Sequence, residues 1–204
     1  MTEEEKIFAG RLFFPGDPEL KALKLKAHNL NIDFNSLHED ETEKREAILA
    51  DLLGKKGEAT FIQGPITFHY GCHTEIGHHT FINFNFTVQD DAKVTIGNHC
   101  DFGPNVTIVT PIHPMLADER IAYPDENGVP RRLCWAKPVT VEDGCWIGAN
   151  AVLLPGVTIG HDSVIGAGSV VTKSVPPGVF AAGNPCRVIR ELTENDSITK
   201  KGLR

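Results

Sequence analysis

The side chains best able to do chemistry in this chain are its nine histidines and five cysteines. One histidine, His113, lies in the segment PIHP, where Pro111 and Pro114 restrict the backbone on either side. An imidazole that titrates near pH ~6.5 can accept a proton from a reacting hydroxyl at neutral pH. His113 is therefore a candidate general base.

The cysteines give little sign of a site. They are odd in number, scattered and form no CxxC pair: Cys72, Cys100, Cys134, Cys145 and Cys186. This pattern indicates neither a disulfide framework nor a zinc site, so we expect most of them to be small buried residues. Cys134 and Cys145 are conceivable nucleophiles, but neither has an activating base beside it in the sequence.

Composition sets broad limits on function. The chain has 204 residues, 41% hydrophobic and 23% charged, as expected of a globular protein. A net charge of -7 argues against nucleic-acid and anionic-membrane partners, which select basic surfaces, but not against a phosphorylated small molecule. There is no apolar run long enough to span a bilayer, and the acidic N-terminus lacks the core of a signal peptide, so we predict a cytoplasmic protein.

Residues 1–57 predict a helical region. Acidic residues from Glu3 open a first helix, which is broken at Gly16 and Pro18. A second apolar series has helical spacing: Leu20, Leu23, Ala27 and Leu30. We predict a third helix over about 37–53, with Ser36 and Glu39 spaced like a capping box and two glycines following.

Residues 58–204 carry a different period. From position 141 an aliphatic residue recurs at every sixth place: Val141, Ile147, Leu153, Ile159, Ile165 and Val171. Glycine directly follows three of these, Ile147, Ile159 and Ile165. A small residue stands four places after each of the same three: Ala151, Ser163 and Ser169. An earlier, less regular stretch repeats the theme in Ile76-Gly77 and Ile96-Gly97.

A six-residue repeat has a specific structural meaning. Each hexad forms a short strand and a corner, three hexads make a triangular coil, and the aliphatic residue stacks on its equivalent in the next coil. Glycine supplies positive φ or a close approach at the corner. A sandwich would instead need period two and hairpin turns. The pattern therefore predicts a mainly β, parallel β-helix with a short N-terminal helical region.

The repeat is interrupted at about 109–138. This Pro-rich segment has no hexad register, and we predict an extended loop there, since long insertions in regular folds are often functional. Its apolar residues suggest that it packs on something, such as a neighbouring subunit: Met115, Ile121, Tyr123 and Trp135.

Four segments carry a resemblance over nearly the whole chain. They are AGRLFFPGDPEL, INFNFTVQDD, GPNVTIVTPIHP and the C-terminal run from WIGANAVLLPGVTIG to GNPCRVIRE. The chain resembles the maltose/galactoside O-acetyltransferases of the hexapeptide-repeat superfamily. The resemblance implies a left-handed β-helix, a homotrimer with three shared sites, and acetyl transfer from acetyl-CoA to a sugar hydroxyl (maltose, glucose or galactoside-like), with no metal and no acetyl-enzyme.

The resemblance also implies roles for individual residues. His113 matches the family's general base, and Asn83 matches an asparagine near this base and the acceptor. Asp91 matches a sugar-binding carboxylate, for which Asp17 is a weaker candidate. His69 occupies the position of a small polar residue that contacts the acceptor. Alternatively, Asn83 satisfies the hydrogen bonds of a solenoid corner and Asp91 caps a turn.

One acceptor-site position departs from the family pattern. Cys134, in CWAKP, stands where many relatives carry glutamate or methionine, so the acceptor pocket is expected to differ.

The C-terminal coils are implied to bind the cosubstrate. Trp146, Ala149 and Ala167 would line the pantetheine and adenine path, and the Ala149 N–H would hold the oxyanion. Donors to the nucleotide end would be Thr172, Lys173, Arg187 and Arg190. Lys173 and Arg190 have the alternative of being ordinary surface cations.

Three other functions stay open on the sequence. An amino sugar, serine or another small amine is an alternative acceptor. The five-residue spacing of His73 and His78 is that of the zinc ligands in γ-type carbonic anhydrases, which share the solenoid, although no third ligand matches. A non-catalytic scaffold is the third possibility, but the threonines form no regular array.

Overall fold

The six-residue repeat folds into a parallel β-solenoid of about six turns in a computed structural model, which describes residues 1–202. All six aliphatic residues of the repeat are 0% exposed. Ile147 pairs in register with Phe102 before it and Ile165 after it, so equivalent side chains stack through the prism. The mainly β class and the parallel β-helix predicted from the sequence are confirmed.

Three sheets form the three faces of the prism. The strands of the first face are Lys55–Lys56, Thr74–Ile76, Val94–Ile96, Val139–Val141 and Thr158–Ile159. Those of the second face are Phe61–Ile62, Phe81–Ile82, Asp101–Phe102, Trp146–Ile147, Val164–Ile165 and Val179–Ala182, followed by the antiparallel Arg187–Glu191. Those of the third face are Ile66–Phe68, Phe86–Gln89, Thr107–Val109, Val152–Leu153 and Val170–Val171.

Two of the three corners of the prism matter for function. The 2–3 corner, which joins the second face to the third, includes residues 83–85, 103–106, 148–151 and 166–169. The 3–1 corner, which joins the third face to the first, includes residues 69–73, 90–93, 110–138 and 172–174. The long insertion therefore leaves and re-enters the solenoid at the 3–1 corner.

Glycine is required in the repeat where the backbones of adjacent coils approach closely. A Cβ on Gly148 would lie 2.6 Å from the backbone nitrogen of Ala167 in the next coil. The positive φ values fall at neighbouring positions instead, including Asn150 at 59° and Asp162 at 57°. Of the two reasons expected for these glycines, only close approach applies at Gly148.

Three helices precede the solenoid: α1 (Glu3–Phe8), α2 (Pro18–Ser36) and α3 (Thr42–Leu52). The third helix was predicted to begin near residue 37, and this is wrong. Ser36 is the last residue of α2, where its hydroxyl donates to the carbonyl of Asp33, and it caps nothing. The capping box in this region joins Thr2 and Glu5 at the start of α1.

Helix α2 continues past the predicted apolar series, which ended at Leu30, because it makes tertiary contacts. The Asn31 amide donates to the carbonyl of Phe68 at 2.7 Å and accepts from its N–H at 3.0 Å. Asn35 does the same to Ile66, at 2.8 Å in both directions. The helix thus satisfies the open edge of the third face and closes the prism. No helix within residues 1–202 has the length and apolarity needed to cross a membrane.

The insertion is an ordered arm, defined here as residues 111–136. Pro111–Ile112 pairs antiparallel with Trp135–Ala136 at its base. Beyond the base lie α4 (Ala117–Arg120) and a tip hairpin of Tyr123–Pro124 and Pro130–Arg131. The segment predicted as a loop thus carries secondary structure, and Met115, at 88% exposure, finds no packing on its own chain.

The stacked core predicts a large cost for truncation. Ile147→Ala should lower the free energy of unfolding by about 2–5 kcal/mol, because it leaves a cavity between two coils that cannot close. Urea denaturation at fixed protein concentration would measure the loss. Thr95→Ala, on the outer side of the first face, is the control and should stay within about 0.5 kcal/mol of the original protein. Equal effects of the two changes would contradict the stacked core.

Candidate active site

The predicted site residues divide between two corners of one chain. His69, Asp91, His113, Thr172 and Lys173 lie at the 3–1 corner. Asn83, Ala149 and Ala167 lie at the 2–3 corner, across the width of the third face, and Trp146 lies on the second face. A single chain therefore does not bring all the predicted residues into one pocket.

His113 directly follows the first strand of the arm base. Ile112 pairs with Trp135, so the strand pairing fixes the backbone next to His113. The ring is exposed, borders a pocket of ≈ 270 Å³ with Arg120 and Arg132, and has no hydrogen-bond partner within residues 1–202. The Arg120 guanidinium donates to the carbonyl of Met115 at 2.6 Å, which ties α4 to the segment after His113. The histidine is held by its backbone while its ring nitrogens stay free.

The N-terminal region fixes the other strand of the arm base. Phe13 and Cys134 exchange backbone hydrogen bonds at 2.9 and 3.2 Å. Farther out, the Arg131 guanidinium lies 4.9 Å above the Phe14 ring. The helical region and the arm are therefore one packed unit around the 3–1 corner.

Asp91 is a buried carboxylate with an unused oxygen. It is 4% exposed, and its Oδ2 has no partner among the described residues; the buried hydroxyl of Tyr70 also has none. Burial and the neighbouring Asp90 raise the pKa of Asp91 to about 6, against the attraction of Lys24 and His73. A buried carboxylate oxygen without a donor is the feature expected where a ligand hydroxyl is missing.

Two predicted acceptor-site residues of this region, His69 and Cys134, carry no charge at neutral pH. Burial, with Lys24 and His28 nearby, lowers the pKa of His69 to about 4, so its ring is neutral at pH 7. Burial raises the pKa of Cys134 to about 12, with Asp91 adding to it. Cys134 is therefore a thiol at neutral pH, as unsuited to nucleophilic attack as the sequence suggested.

Two predicted site residues already make local hydrogen bonds. Asp17 is the N-cap of α2, where its Oδ1 accepts from Glu19 N at 2.9 Å and Leu20 N at 3.4 Å. The Asn83 Oδ1 accepts from Phe84 N at 2.8 Å, while its amide nitrogen has no acceptor in the part of the chain that the structure covers. Asp17 has a structural task, and Asn83 keeps a free donor.

The residues predicted to bind the cosubstrate lie on the second face, on the C-terminal strand Arg187–Glu191 and at the 2–3 and 3–1 corners. Trp146 is 56% exposed. The Ala149 N–H has no acceptor within residues 1–202, so it is available to an oxyanion. Arg190 forms a bidentate ion pair with Asp196, with N–O distances of 2.7 and 2.8 Å. Lys173 is exposed.

The histidines considered for zinc do not share a site. His73 is buried at the 3–1 corner, whereas His78 is exposed on the corner between the first and second faces. Among residues 1–202 no group of three or more His, Cys, Asp or Glu side chains is arranged to hold a metal ion.

Three of the residues around Asp91 received no role there from the sequence, and one of them, His73, was considered only as a zinc ligand. Tyr70, Lys24 and His73 all contribute to its electrostatic surroundings. The doublet Asp90-Asp91 was a usable signal, because two adjacent carboxylates in a buried coil need a compensating cation. Nothing in the sequence distinguished Lys24 from the other lysines of α2.

The Asp91 environment predicts a gain in stability on neutralisation. Its pKa is raised from 3.8 to about 6 in the folded chain. The protonated carboxyl therefore contributes to the stability of the fold below pH 3.8, and this contribution is lost as the pH rises through about 6. Asp91→Asn should gain roughly 2 kcal/mol at neutral pH and little in acid. Thermal unfolding at both pH values would measure this, with the exposed Asp101→Asn as control; an equal gain in acid would contradict it.

Comparisons with known proteins place the chain in a family. Residues 6–57 match the maltose acetyltransferase hexapeptide capping motif, and residues 138–173 match the bacterial transferase hexapeptide with six repeats. Galactoside O-acetyltransferase of Escherichia coli K12 is 41% identical over 196 residues, which are 96% of this chain and 92% of that protein.

Solved structures agree with the sequence relatives. A maltose O-acetyltransferase from Clostridium difficile superposes with a TM-score of 0.87 at 39% identity, covering 95% of this chain and 99% of that one. A hexapeptide-repeat acetyltransferase from Vibrio cholerae, complexed with acetyl-CoA, gives 0.83 at 34%, covering 95% and 100%. On this evidence the chain belongs to the maltose/galactoside O-acetyltransferase family of hexapeptide-repeat enzymes.

Proposed function

We propose that this chain transfers an acetyl group from acetyl-CoA to a hydroxyl of a sugar-like acceptor, with His113 as general base. The observation that carries the proposal is the free ring of His113 on an arm whose base is fixed by strand pairing. The relatives named as galactoside and maltose O-acetyltransferases support the reaction class.

The chemistry is a direct acyl transfer. The acceptor oxygen attacks the thioester carbonyl while His113 takes the hydroxyl proton. The oxyanion that develops is stabilised by the free N–H of Ala149. Collapse expels the thiolate of CoA, which receives the proton back from the imidazolium. No side-chain nucleophile is needed, in agreement with the raised thiol pKa of Cys134.

The second face suits acetyl-CoA. Exposed Trp146 offers an apolar surface to the pantetheine chain, and the exposed cations Lys173 and Arg187 can pair with phosphates. The complex of the Vibrio cholerae relative with acetyl-CoA supports this assignment. Arg190 is the weakest member of the predicted set, because it must exchange Asp196 for a phosphate.

A site shared between chains follows from the division between corners. Asn83 and Ala149 lie at the 2–3 corner, and His113 and Asp91 at the 3–1 corner, so one chain cannot supply both to the same acceptor. Three chains around a three-fold axis, each with its 3–1 corner facing a neighbour's 2–3 corner, would complete three equal sites. The exposed apolar residues of the arm, such as Met115, then have a neighbouring surface to cover.

The unpaired polar atoms of Asp91 and Tyr70 support a sugar-like acceptor. The free carboxylate oxygen and the free Tyr70 hydroxyl together accept and donate hydrogen bonds, which suits vicinal hydroxyls. An amino sugar remains the alternative acceptor, since an amine also donates to a carboxylate.

Loss of the base gives the direct test. His113→Ala should lower kcat/KM for the acceptor by about 10²-fold or more, because the hydroxyl then attacks without proton removal. Release of CoA from acetyl-CoA would be followed across a panel of sugars, amino sugars and serine. His99→Ala, an exposed histidine on another corner, is the matched control and should keep full activity. Undiminished turnover by His113→Ala would remove the base from the proposal.

Mixing two inactive variants tests the shared site. Chains with Asn83→Ala and chains with His113→Ala, unfolded together and refolded at equal ratio, should recover roughly a quarter of the original activity, since a quarter of the interfaces pair two intact corners. Each variant refolded alone should stay inactive. A mixture as inactive as its components would place both residues in one chain's site.

A further inference from the structure

His73 is buried with an acceptor at each ring nitrogen. Its side chain is 3% exposed. Nδ1 lies 2.8 Å from the carbonyl oxygen of Asp90 and 3.1 Å from that of Asp91. Nε2 lies 3.0 Å from Oε1 of Glu4 in α1. A neutral imidazole has only one N–H, so both contacts are hydrogen bonds only if the ring is an imidazolium.

The groups around the ring favour this charge. Glu4 faces it from α1, while the thiol of Cys72 and the carboxyls of Asp90 and Asp91 face it from the 3–1 corner. The rings of Phe8 and Tyr70 pack on it, with centroids 5.0 and 4.8 Å away. Lys93 lies 5.7 Å from the centroid of the Phe8 ring, Lys24 interacts with Asp91, and His69 is neutral.

Burial by itself would lower the pKa of His73. The hydrogen bonds to Cys72, Glu4 and the Asp90 carbonyl outweigh it and raise the pKa to about 9. The electrostatics therefore agree with the hydrogen-bond geometry.

The imidazolium acts on Asp91 in two ways. It holds the backbone carbonyls of both aspartates, which fixes the direction of the turn. The carboxylate of Asp90 is already committed, accepting from Tyr70 N and Thr74 Oγ1 at 2.8 Å each, so Asp91 alone is free to meet a ligand. The positive charge of His73 also opposes the rise in the pKa of Asp91.

We propose that His73 is a positioning residue for the acceptor: as a buried imidazolium paired with Glu4, it aims Asp91 and keeps it ionised. The N-terminal helix α1 thereby becomes part of the acceptor site without touching the acceptor. This inference rests on the proposed function, in which Asp91 binds the acceptor.

The kinetic test is a pH profile. In the original enzyme 1/KM for the acceptor should fall as the pH drops through the pKa of Asp91, whereas protonation of the base His113 acts on kcat. His73→Gln should move this acid limb upward by about one pH unit, since loss of a nearby cation raises a carboxyl pKa. Glu4→Gln should move it less than His73→Gln does, because the ring keeps its contacts with the two carbonyls, and KM for acetyl-CoA should stay unchanged in both. His99→Gln, a histidine of the distant corner, is the matched control and should leave the profile in place.

A direct measurement separates this inference from the proposed function. ¹⁵N NMR of the histidine rings of the original protein should show His73 protonated on both nitrogens at neutral pH. A neutral His73 at pH ~7, or an acid limb unmoved by His73→Gln and Glu4→Gln, would overturn the inference. A protein that acetylates no acceptor while His73 is charged would contradict the proposed function and leave the imidazolium standing.

Discussion

Stacking of aliphatic side chains at six-residue intervals is the interaction on which the rest of the structure depends. Ile147, between Phe102 and Ile165, is one link in a column that has no solvent contact. Because each coil contacts only its neighbours, the column sets where every corner falls, and the corners set where polar side chains leave the core. Close packing between coils also explains why Gly148 has no room for a Cβ.

The interruption of this stacking creates the site. The arm leaves at the 3–1 corner and returns there, so the solenoid resumes its register with Val139 beside Val94. Its base is paired on one side with its own return strand and on the other with Phe13. An exposed histidine ring directly after a paired strand has the access to a hydroxyl that a general base requires.

Charge at the 3–1 corner is organised as a buried network. The carboxylate of Glu4 and the carbonyls of Asp90 and Asp91 contact the ring of His73, and within residues 1–202 the buried Oδ2 of Asp91 has no partner. Burying such groups is unfavourable unless each is paired, so the unpaired oxygen marks the place where a ligand completes the network. The helices that close the end of the prism supply Glu4 and Lys24, which gives the N-terminal region a part in the site as well as in the fold.

The sequence by itself determined the solenoid, its family and the position of the candidate base. The hexad from Val141 to Val171 is a local pattern that repeats, and each repeat needs only its neighbour, so period alone was sufficient. His113 was selected from the nine histidines by the resemblance of the segment GPNVTIVTPIHP to the family. The roles assigned to Asn83, Asp91 and the residues of the second face were implied by resemblance and remain predictions.

Only the tertiary structure decided what depends on contacts between distant segments. The end of α2 is set by Asn31 and Asn35 bonding to a strand more than 30 residues away, which no local propensity encodes. The contacts of the His73 ring are made with Glu4, 69 residues earlier, and with two carbonyls of the next coil. The placing of Asn83 and His113 on different corners likewise arises from the winding of the chain. Hydrogen bonds and burial act through space, and a sequence records only the spacing along the chain.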